Sequence, residues 1–168
     1  MIRLVPGISS RSPIFEPVAD AIISIREKLH AVDSSDALRM VLREMEFDSR
    51  YTKPINVNGL LILRTLTSIT KEVVISTYAQ NFFAWKAFPV NGFVNPENPL
   101  IIHLNSRQKR SAKEWEETIW HELIHVSDAF NTASFGHGDN KLKDKEETAP
   151  VKLARLMSGL TLPAGKTA

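Results

Sequence analysis

Two histidines and a glutamate are the residues of this chain whose types and spacing best fit catalytic chemistry. They stand in the segment His121-Glu122-Leu123-Ile124-His125, which has the pattern H-E-x-x-H. On a helix, residues i and i+4 lie one turn apart on the same face, so both imidazoles can reach one metal ion. Glu122 can then act as general base on a metal-bound water. The motif predicts a zinc site; the alternative is a buried helix whose histidines have this spacing by chance.

The residues before the motif predict the helix that the motif requires. Ser111 is a good N-cap residue, and Glu114 follows three positions later, which is the arrangement of a capping box. Apolar residues then recur at helical spacing and predict a buried stripe beside the histidines. That stripe consists of Trp115, Ile119, Leu123 and Val126.

Two histidines provide only part of a catalytic zinc site, which usually has three protein ligands and one open position. The chain contains no cysteine, so the third ligand must be a histidine or a carboxylate. His137, in a glycine-rich segment, is one candidate. The other is the pair Glu146-Glu147, which opens an amphipathic run with Pro150 in its first turn. Coordination chemistry permits each of them. The alternative for the glutamates is that they interact favourably with the dipole at a helix N-terminus, and the alternative for His137 is a solvated loop residue.

Residues 111–157 resemble a known group of enzymes. An H-E-x-x-H helix, a long polar loop and a second helix that opens with glutamate are similar to the gluzincin layout of zinc peptidases. The same segment resembles the bacterial type III effector zinc peptidases. The resemblance implies that His121 and His125 are zinc ligands and Glu122 the general base, and that Glu146 is the third ligand, with Glu147 close behind it. It also implies a zinc-dependent endopeptidase.

The segment departs from the metzincin pattern, because Asp128 and Asn131 stand where metzincins have a glycine and a third histidine ligand. His137 can therefore be either the third ligand or a group that stabilises the oxyanion formed on the substrate carbonyl. Tyr78 is a second candidate for that stabilising role. Asp128 either orients a ligand imidazole or is an exposed helical carboxylate.

Composition indicates one ordinary globular domain. The chain has 168 residues, of which 43% are hydrophobic and 24% charged. A net charge of +2 gives no signal for nucleic-acid binding, and no apolar run is long enough to span a membrane. The expected partner is a protein or peptide substrate, bound by a monomer. The basic segment 107–110 either meets an acidic substrate or phosphate, or is a solvated loop.

The expected organisation is a flexible segment over residues 1–13, a single zincin-like domain over 14–160 and a flexible tail over 161–168. The first segment is rich in Ser, Pro and Gly and lacks the features of a secretory signal peptide. Together with the resemblance, this suits a bacterial effector secreted without a cleavable signal into a host or target cell; otherwise the protein is cytoplasmic.

Hydrophobic periodicity predicts an α+β fold with a small, mainly antiparallel sheet. Two N-terminal helices precede the sheet, and the motif helix and a C-terminal helix follow it. The helices are expected over 16–32, with Pro17 in the first turn, and over 35–47, with Asp33 or Ser34 as cap. The strands are expected over 55–63, 73–78 and 100–104.

The segment 81–98 is the most aromatic part of the chain and contains Phe82, Phe83, Trp85, Phe88 and Phe93. We expect these rings to fill the core beneath a long loop; the alternative is that they line a substrate cleft. His103, a lone histidine in a strand, is expected to have a structural role.

The sequence thus predicts hydrolysis of peptide bonds, with an extended substrate bound along an edge strand, either 73–78 or 100–104, by β-augmentation. Zn²⁺ would lower the pKa of a bound water, and Glu122 would take its proton and deliver it to the leaving amine. The alternatives are a cell-wall endopeptidase with the same zinc site and a non-catalytic zincin-like binding module.

Overall fold

The computed structural model describes residues 2–47, 57–82, 86, 89–131, 135 and 148–162. These ranges contain five helices and six strands. The helices are α1 (Phe15–Ser34), α2 (Asp36–Glu44), α3 (Gly59–Ser68), α4 (Ala112–Ala129) and α5 (Ala149–Gly159). The strands are β1 (Arg3–Pro6), β2 (Glu46–Phe47), β3 (Val57–Asn58), β4 (Glu72–Tyr78), β5 (Gly92–Asn95) and β6 (Asn98–Asn105).

The main sheet has four strands in the order β1-β4-β6-β5, and β2 pairs separately with β3. The α+β class is therefore confirmed. The main sheet is mixed and not mainly antiparallel as expected, because β1 pairs with β4 and β4 with β6 in parallel, whereas β5 and β6 are antiparallel. The separate pair of β2 and β3 is antiparallel. Parallel neighbours need a long crossover, and α1, α2 and α3 lie between β1 and β4 in the chain.

The start of the chain is ordered by the sheet, contrary to the flexible segment expected over residues 1–13. Arg3–Pro6 forms an edge strand that pairs with β4 from Glu72 to Ile75. Ile2, Leu4 and Ile8 are buried in the core. The apolar residues Ile2, Leu4 and Val5 are the only local strand signal in a segment that also contains proline, glycine and serine.

The strand expected over 55–63 is also wrong. Only Val57–Asn58 is extended among the described residues of that range, and α3 begins at Gly59. The Asn58 side chain caps this helix by accepting a hydrogen bond from the Leu61 N–H at 2.9 Å. A short apolar run fits a buried helix and a strand equally well, and here the asparagine cap decides for the helix.

The two N-terminal helices lie where the hydrophobic spacing predicts them, with small differences at their ends. α2 is capped by the Ser35 side chain, which accepts from the Leu38 N–H, rather than by Asp33 or Ser34. It ends at Glu44 instead of residue 47.

Helix α4 is the centre of the fold, since it packs against α1, α3 and α5 and also against β5 and β6. The predicted capping box of Ser111 and Glu114 is present. All four residues of the predicted apolar stripe are fully buried. Two further hydrogen bonds fix the far end of the helix: Ser127 donates to the Ile62 carbonyl at 2.8 Å, and Asn131 donates to Thr65 at 3.1 Å.

A buried ion pair joins three of the helices. The Lys28 ammonium of α1 lies 2.6 Å from the Glu116 carboxylate of α4, and both side chains are only 7% exposed. Lys28 also donates to the Ser158 carbonyl of α5 at 3.0 Å, and the Trp120 indole donates to Glu116 at 3.3 Å. Each buried charge thus has its partners, which is the condition under which burial of charge is tolerated.

We expect Lys28→Met to destabilise the fold by about 3–5 kcal/mol, because it leaves the Glu116 carboxylate buried without its cation. The free energy of unfolding in urea measures this loss. The double variant Lys28→Met/Glu116→Met is expected to be more stable than the single one, since it leaves no unpaired charge.

The control is Glu72→Gln, which breaks an exposed ion pair of the same length. Arg3 and Glu72 are 2.6 Å apart and their side chains are 74% and 50% exposed, so the expected loss is about 0–1 kcal/mol. Equal losses for Lys28→Met and Glu72→Gln would contradict the role assigned to the buried pair.

Candidate functional site

His121 and His125 lie one turn apart on the side of α4 that is not covered by other helices. Both side chains are half-buried, and their ring centroids are 5.1 Å apart with planes inclined by 67°. The helix places them together for the reason that the sequence predicts: its buried stripe faces the core and leaves this face toward a cavity. Two imidazoles at this separation can share one metal ion.

The cavity has a volume of about 430 Å³ and contains the whole motif. Its floor is formed by His121, Glu122 and His125, with Asp128 and Ala129 one turn further along α4. Its other wall is β5, represented by Gly92, Phe93 and Val94, with Pro96 beyond the end of the strand. An edge strand therefore runs directly over the motif.

Gly92 allows this close approach of strand and helix. A Cβ atom at position 92 would lie 3.2 Å from the His103 carbonyl oxygen and 3.3 Å from the Thr118 methyl group of α4. Both distances are tighter than ordinary van der Waals contact. A side chain here would push β5 away from the site.

The backbone of β5 presents hydrogen-bonding groups to the cavity. Asn105 donates its N–H to the Asn91 carbonyl at 2.8 Å, and Phe93 is the register partner of His103. Because backbone groups alternate in direction along a strand, those of Gly92 and Val94 point away from β6. Among the described strands, none pairs with this outer edge of β5, and its Val94 N–H donates to Glu122. The edge strand was expected to be β4 or β6; both of those strands are central, so that expectation is wrong.

Glu122 is the most buried functional group of the site, with a relative exposure of 5%. Burial raises the pKa of its carboxyl from 4.5 to about 7, and a hydrogen bond from the Val94 backbone opposes this shift. The carboxyl thus lies beneath the free edge of β5. Its proton affinity suits a group that must both take up and release a proton near neutral pH.

The two histidines fit half of a zinc site. Among the residues that the structure describes, no group of three His, Asp, Glu or Cys side chains is arranged to hold a metal ion. The three candidates for the third ligand, His137, Glu146 and Glu147, lie outside the described ranges. Imidazole nitrogens are ordinary zinc ligands, so the described residues offer two candidate ligands and a neighbouring carboxyl.

Asp128 is not an exposed helical carboxylate. It is half-buried and lines the cavity, and one of its oxygens accepts a hydrogen bond from the Phe135 N–H at 2.8 Å. Phe135 itself is buried. Asp128 therefore holds the backbone of Phe135; its role in orienting an imidazole remains a prediction.

A second, smaller cavity of about 230 Å³ continues the cleft toward the N-terminus of α4. It shares Gly92, His121 and Glu122 with the first cavity. Its remaining walls are Asn91 and Thr118 and two charged residues, Arg110 and Glu117. The motif thus lies between two cavities, under one edge strand.

An aromatic cluster lies on the sheet next to the cleft. The Phe93 ring stacks on His103 with centroids 4.7 Å apart and meets the edge of Tyr78 at 5.0 Å. The Tyr78 hydroxyl donates to the Val90 carbonyl at 3.2 Å. Burial, with a smaller contribution from the charge of Glu122, raises the pKa of Tyr78. The structural role expected for His103 agrees with this stacking.

The expected burial of the aromatic segment is wrong for the rings that the structure describes. Phe82 is 45% exposed and Phe93 is 40% exposed, and Phe93 lines the first cavity. The alternative reading as a cleft wall therefore holds for Phe93. Phe83, Trp85 and Phe88 lie outside the described residues.

Several residues of the site escaped the sequence analysis. The edge strand β5, which contains Gly92 and Val94, is short and does not alternate clearly between apolar and polar residues. Its pairing with β6 places it over α4, and this pairing is a feature of the structure that the sequence does not reveal. Arg110 belongs to the basic segment 107–110 and directly precedes the helix cap at Ser111. That position is the one sequence signal for its place near the cleft.

No family model matches the chain, and neither a curated protein nor a solved structure matches it. Among the described helices, none is long and apolar enough to cross a membrane. The function must therefore be argued from the residues and geometry of the cleft.

The raised pKa of Glu122 predicts a pH-dependent stability of the metal-free protein. Between pH 4.5 and about 7 the folded chain holds a proton that the unfolded chain releases, so stability falls as the pH rises through this window. Above pH 7 the free energy of unfolding is lowered by about 3 kcal/mol at most. The variant Glu122→Gln, whose side chain is neutral at every pH, does not lose this stability.

Urea unfolding of chelator-treated wild type and Glu122→Gln, repeated from pH 4 to 8, measures this difference. We expect the variant to gain stability over the wild type as the pH rises from 4.5 to 7, and the gain to level off above that. Parallel curves for the two proteins would show that the folded state does not disfavour the Glu122 carboxylate.

Proposed function

We propose that this protein is a zinc-dependent endopeptidase, with His121 and His125 as zinc ligands and Glu122 as general base. One observation carries the proposal: a buried carboxyl lies between two paired histidines and the free edge of a strand. These are the elements that hydrolysis of an extended peptide requires. The resemblance of residues 111–157 to gluzincin peptidases supports the same assignment.

The motif provides the chemistry. When bound, zinc supplies a Lewis acid that makes a coordinated water acidic at neutral pH. The Glu122 carboxyl lies on the same helix turn as His121 and can accept the proton of an attacking water. It can then give that proton to the amine of the departing peptide.

The edge strand provides substrate binding. An extended peptide can add to the outward N–H and C=O groups of Gly92 and Val94 by β-augmentation, which holds the backbone without regard to sequence. The Val94 N–H, which donates to Glu122 in the present state, would then be available to a substrate carbonyl. Binding of substrate thus frees the carboxyl for its role as a base.

The third zinc ligand is proposed to be Glu146. The contacts of α5 support this choice. Its last turn lies near the start of α4, because Lys28 binds both Ser158 and Glu116. Leu153, earlier in α5, packs at Gly59 of α3, less than one helical turn from Ile62, which binds Ser127 near the end of α4. α5 therefore runs antiparallel to α4, and its first residues approach the half of α4 that carries the histidines.

We expect Glu146→Ala to weaken zinc binding by more than the 10- to 100-fold that loss of an outer partner causes. Competition with a chromophoric zinc chelator measures the affinity. Glu147→Ala and His137→Ala are the matched comparisons, since they are the other two candidates. Loss of zinc in either of these, with wild-type affinity in Glu146→Ala, would assign the third ligand to that residue instead.

The activity itself is tested with zinc-loaded wild type and Glu122→Gln on casein and on a mixture of unstructured peptides. We expect internal peptide bonds to be cleaved by the wild type, and a loss of about 10²- to 10⁴-fold in the variant, which is the usual contribution of a general base. The variant should keep its zinc. Equal activity in both proteins would exclude Glu122 as the base.

Peptidoglycan serves as the comparison substrate. Cleavage of its peptide cross-links, with no cleavage of casein, would favour a cell-wall endopeptidase. Stoichiometric zinc with no hydrolysis of either substrate would favour a binding module. Secretion into a host or target cell is a proposal that rests on the resemblance to type III effectors alone.

A further inference from the structure

The second cavity contains a cation that the proposed chemistry does not use. Arg110 lies in its wall, beside Thr118 and within reach of the same space as His121 and Glu122. The Nε atom of Arg110 is buried and has no hydrogen-bond partner among the described residues. Buried donors are normally satisfied, so an unpaired one beside a catalytic motif calls for a ligand.

The surroundings of Arg110 hold the side chain in place and offset its charge only in part. Its guanidinium lies 5.9 Å from the centre of the Trp115 ring, within the range of a cation–π contact. The nearby Glu114 carboxylate is engaged with Ser111, whose N–H and hydroxyl both donate to it at 2.8 Å. Hydrogen bonds from Ser111 and, to a smaller extent, the positive charge of Arg110 lower the pKa of the Glu114 carboxyl. Within the part of the chain that the structure describes, Arg110 forms no ion pair.

Glu117 is the opposing charge in this cavity, but it has a cation of its own. Its carboxylate lies 3.8 Å from the Arg155 guanidinium of α5. With both side chains about half exposed, this pair offsets the charge of Glu117 only in part. Arg110 is the positive charge in the lining of the second cavity, where a ligand carboxylate competes with Glu117.

The direction of β5 determines which part of a substrate enters this cavity. The strand runs from Gly92, which lies against Thr118 beside the second cavity, to Pro96, which lines the first. Antiparallel pairing is slightly more stable per residue than parallel pairing. A peptide paired antiparallel to β5 runs from the first cavity to the second, so the residues after the scissile bond reach Arg110.

We propose that the second cavity binds the residues that follow the scissile bond and that Arg110 selects a carboxylate there. The inference rests on the proposed peptidase function. The carboxylate has two possible sources: an acidic side chain in the first two positions after the scissile bond, or the free carboxy terminus of a short substrate. A guanidinium binds either by paired N–H donors.

The test uses the zinc-loaded full-length chain and peptides that differ only after the scissile bond. One set carries Glu, Gln or Lys in the first or second position, each with an amidated end. A second set ends one or two residues after the scissile bond, with either a free or an amidated carboxy terminus. The readout is the ratio of kcat/KM between the charged and the neutral member of each pair.

We expect the wild type to favour the carboxylate by about tenfold or more in at least one set, which corresponds to one charge-assisted hydrogen bond of about 1.4 kcal/mol. The set that shows the preference identifies the source. Arg110→Met keeps the apolar stem over Trp115 and should bring the ratio close to 1. Arg110→Lys should keep a reduced preference, because it retains the charge but not the planar pair of donors.

The matched control is Lys109→Met, which removes one positive charge from the adjacent, exposed residue and should leave the ratio unchanged. Glu117→Gln should raise it, because a competing carboxylate is lost from the cavity. Zinc content and urea unfolding of every variant show that the site and fold are intact.

The failure of this inference is distinguishable from the failure of the proposed function. Cleavage of the peptides with no carboxylate preference, or with a preference that Arg110→Met leaves intact, overturns the role of Arg110 and leaves the peptidase in place. No cleavage by the zinc-loaded wild type overturns both proposals.

Discussion

The ion pair between Lys28 and Glu116 is the interaction on which the geometry of the cleft depends. It joins α1, α4 and α5 inside the core, where an unpaired charge would be costly. Glu116 also accepts from Trp120, the residue immediately before His121. Because the pair helps to set the position of α4 relative to α1 and α5, it also helps to set where His121 and His125 stand. A buried salt bridge often stabilises a fold no more than apolar side chains of the same volume would. Its directional hydrogen bonds, however, restrict the helices to one arrangement.

Helix α4 has two roles that its periodicity keeps apart. One face supplies fully buried side chains such as Trp115 and Leu123 to the core, and another presents His121 and His125 to the cleft. Glu122 lies between them, buried like a core residue yet open to the cavity, and its raised pKa follows from that position. The strand β5 completes the arrangement, because Gly92 lets it approach the helix closely enough for the Val94 N–H to meet the Glu122 carboxyl. The Glu122 carboxyl and the outer edge of β5 are thus one structural unit.

The sequence was informative where local chemistry decides the structure. The capping box at Ser111, the stripe of α4 and the strands β4 and β6 could be predicted, because each depends on residues close together in the chain. The parallel pairing of β1 with β4 could not, since it depends on a contact between segments far apart in sequence. The run at 57–63 was ambiguous for a different reason: apolar residues without alternation fit a helix as well as a strand, and only the cap at Asn58 decides. The burial of Lys28 and the placement of Arg110 in the cleft depend on contacts between segments far apart in the chain. The residues next to them in the sequence give little indication of either.

The central claim is that His121 and His125 hold a zinc ion, and the metal content of the purified chain tests it most directly. Elemental analysis of protein prepared without chelators and supplied with zinc should give one zinc per chain. His121→Ala and His125→Ala should each lose it, because removal of one imidazole breaks the paired site, and His103→Ala should keep it, because that ring stacks on Phe93 in the sheet. Zinc content that is unchanged in His121→Ala and His125→Ala, or a wild type that binds no zinc, would contradict the account.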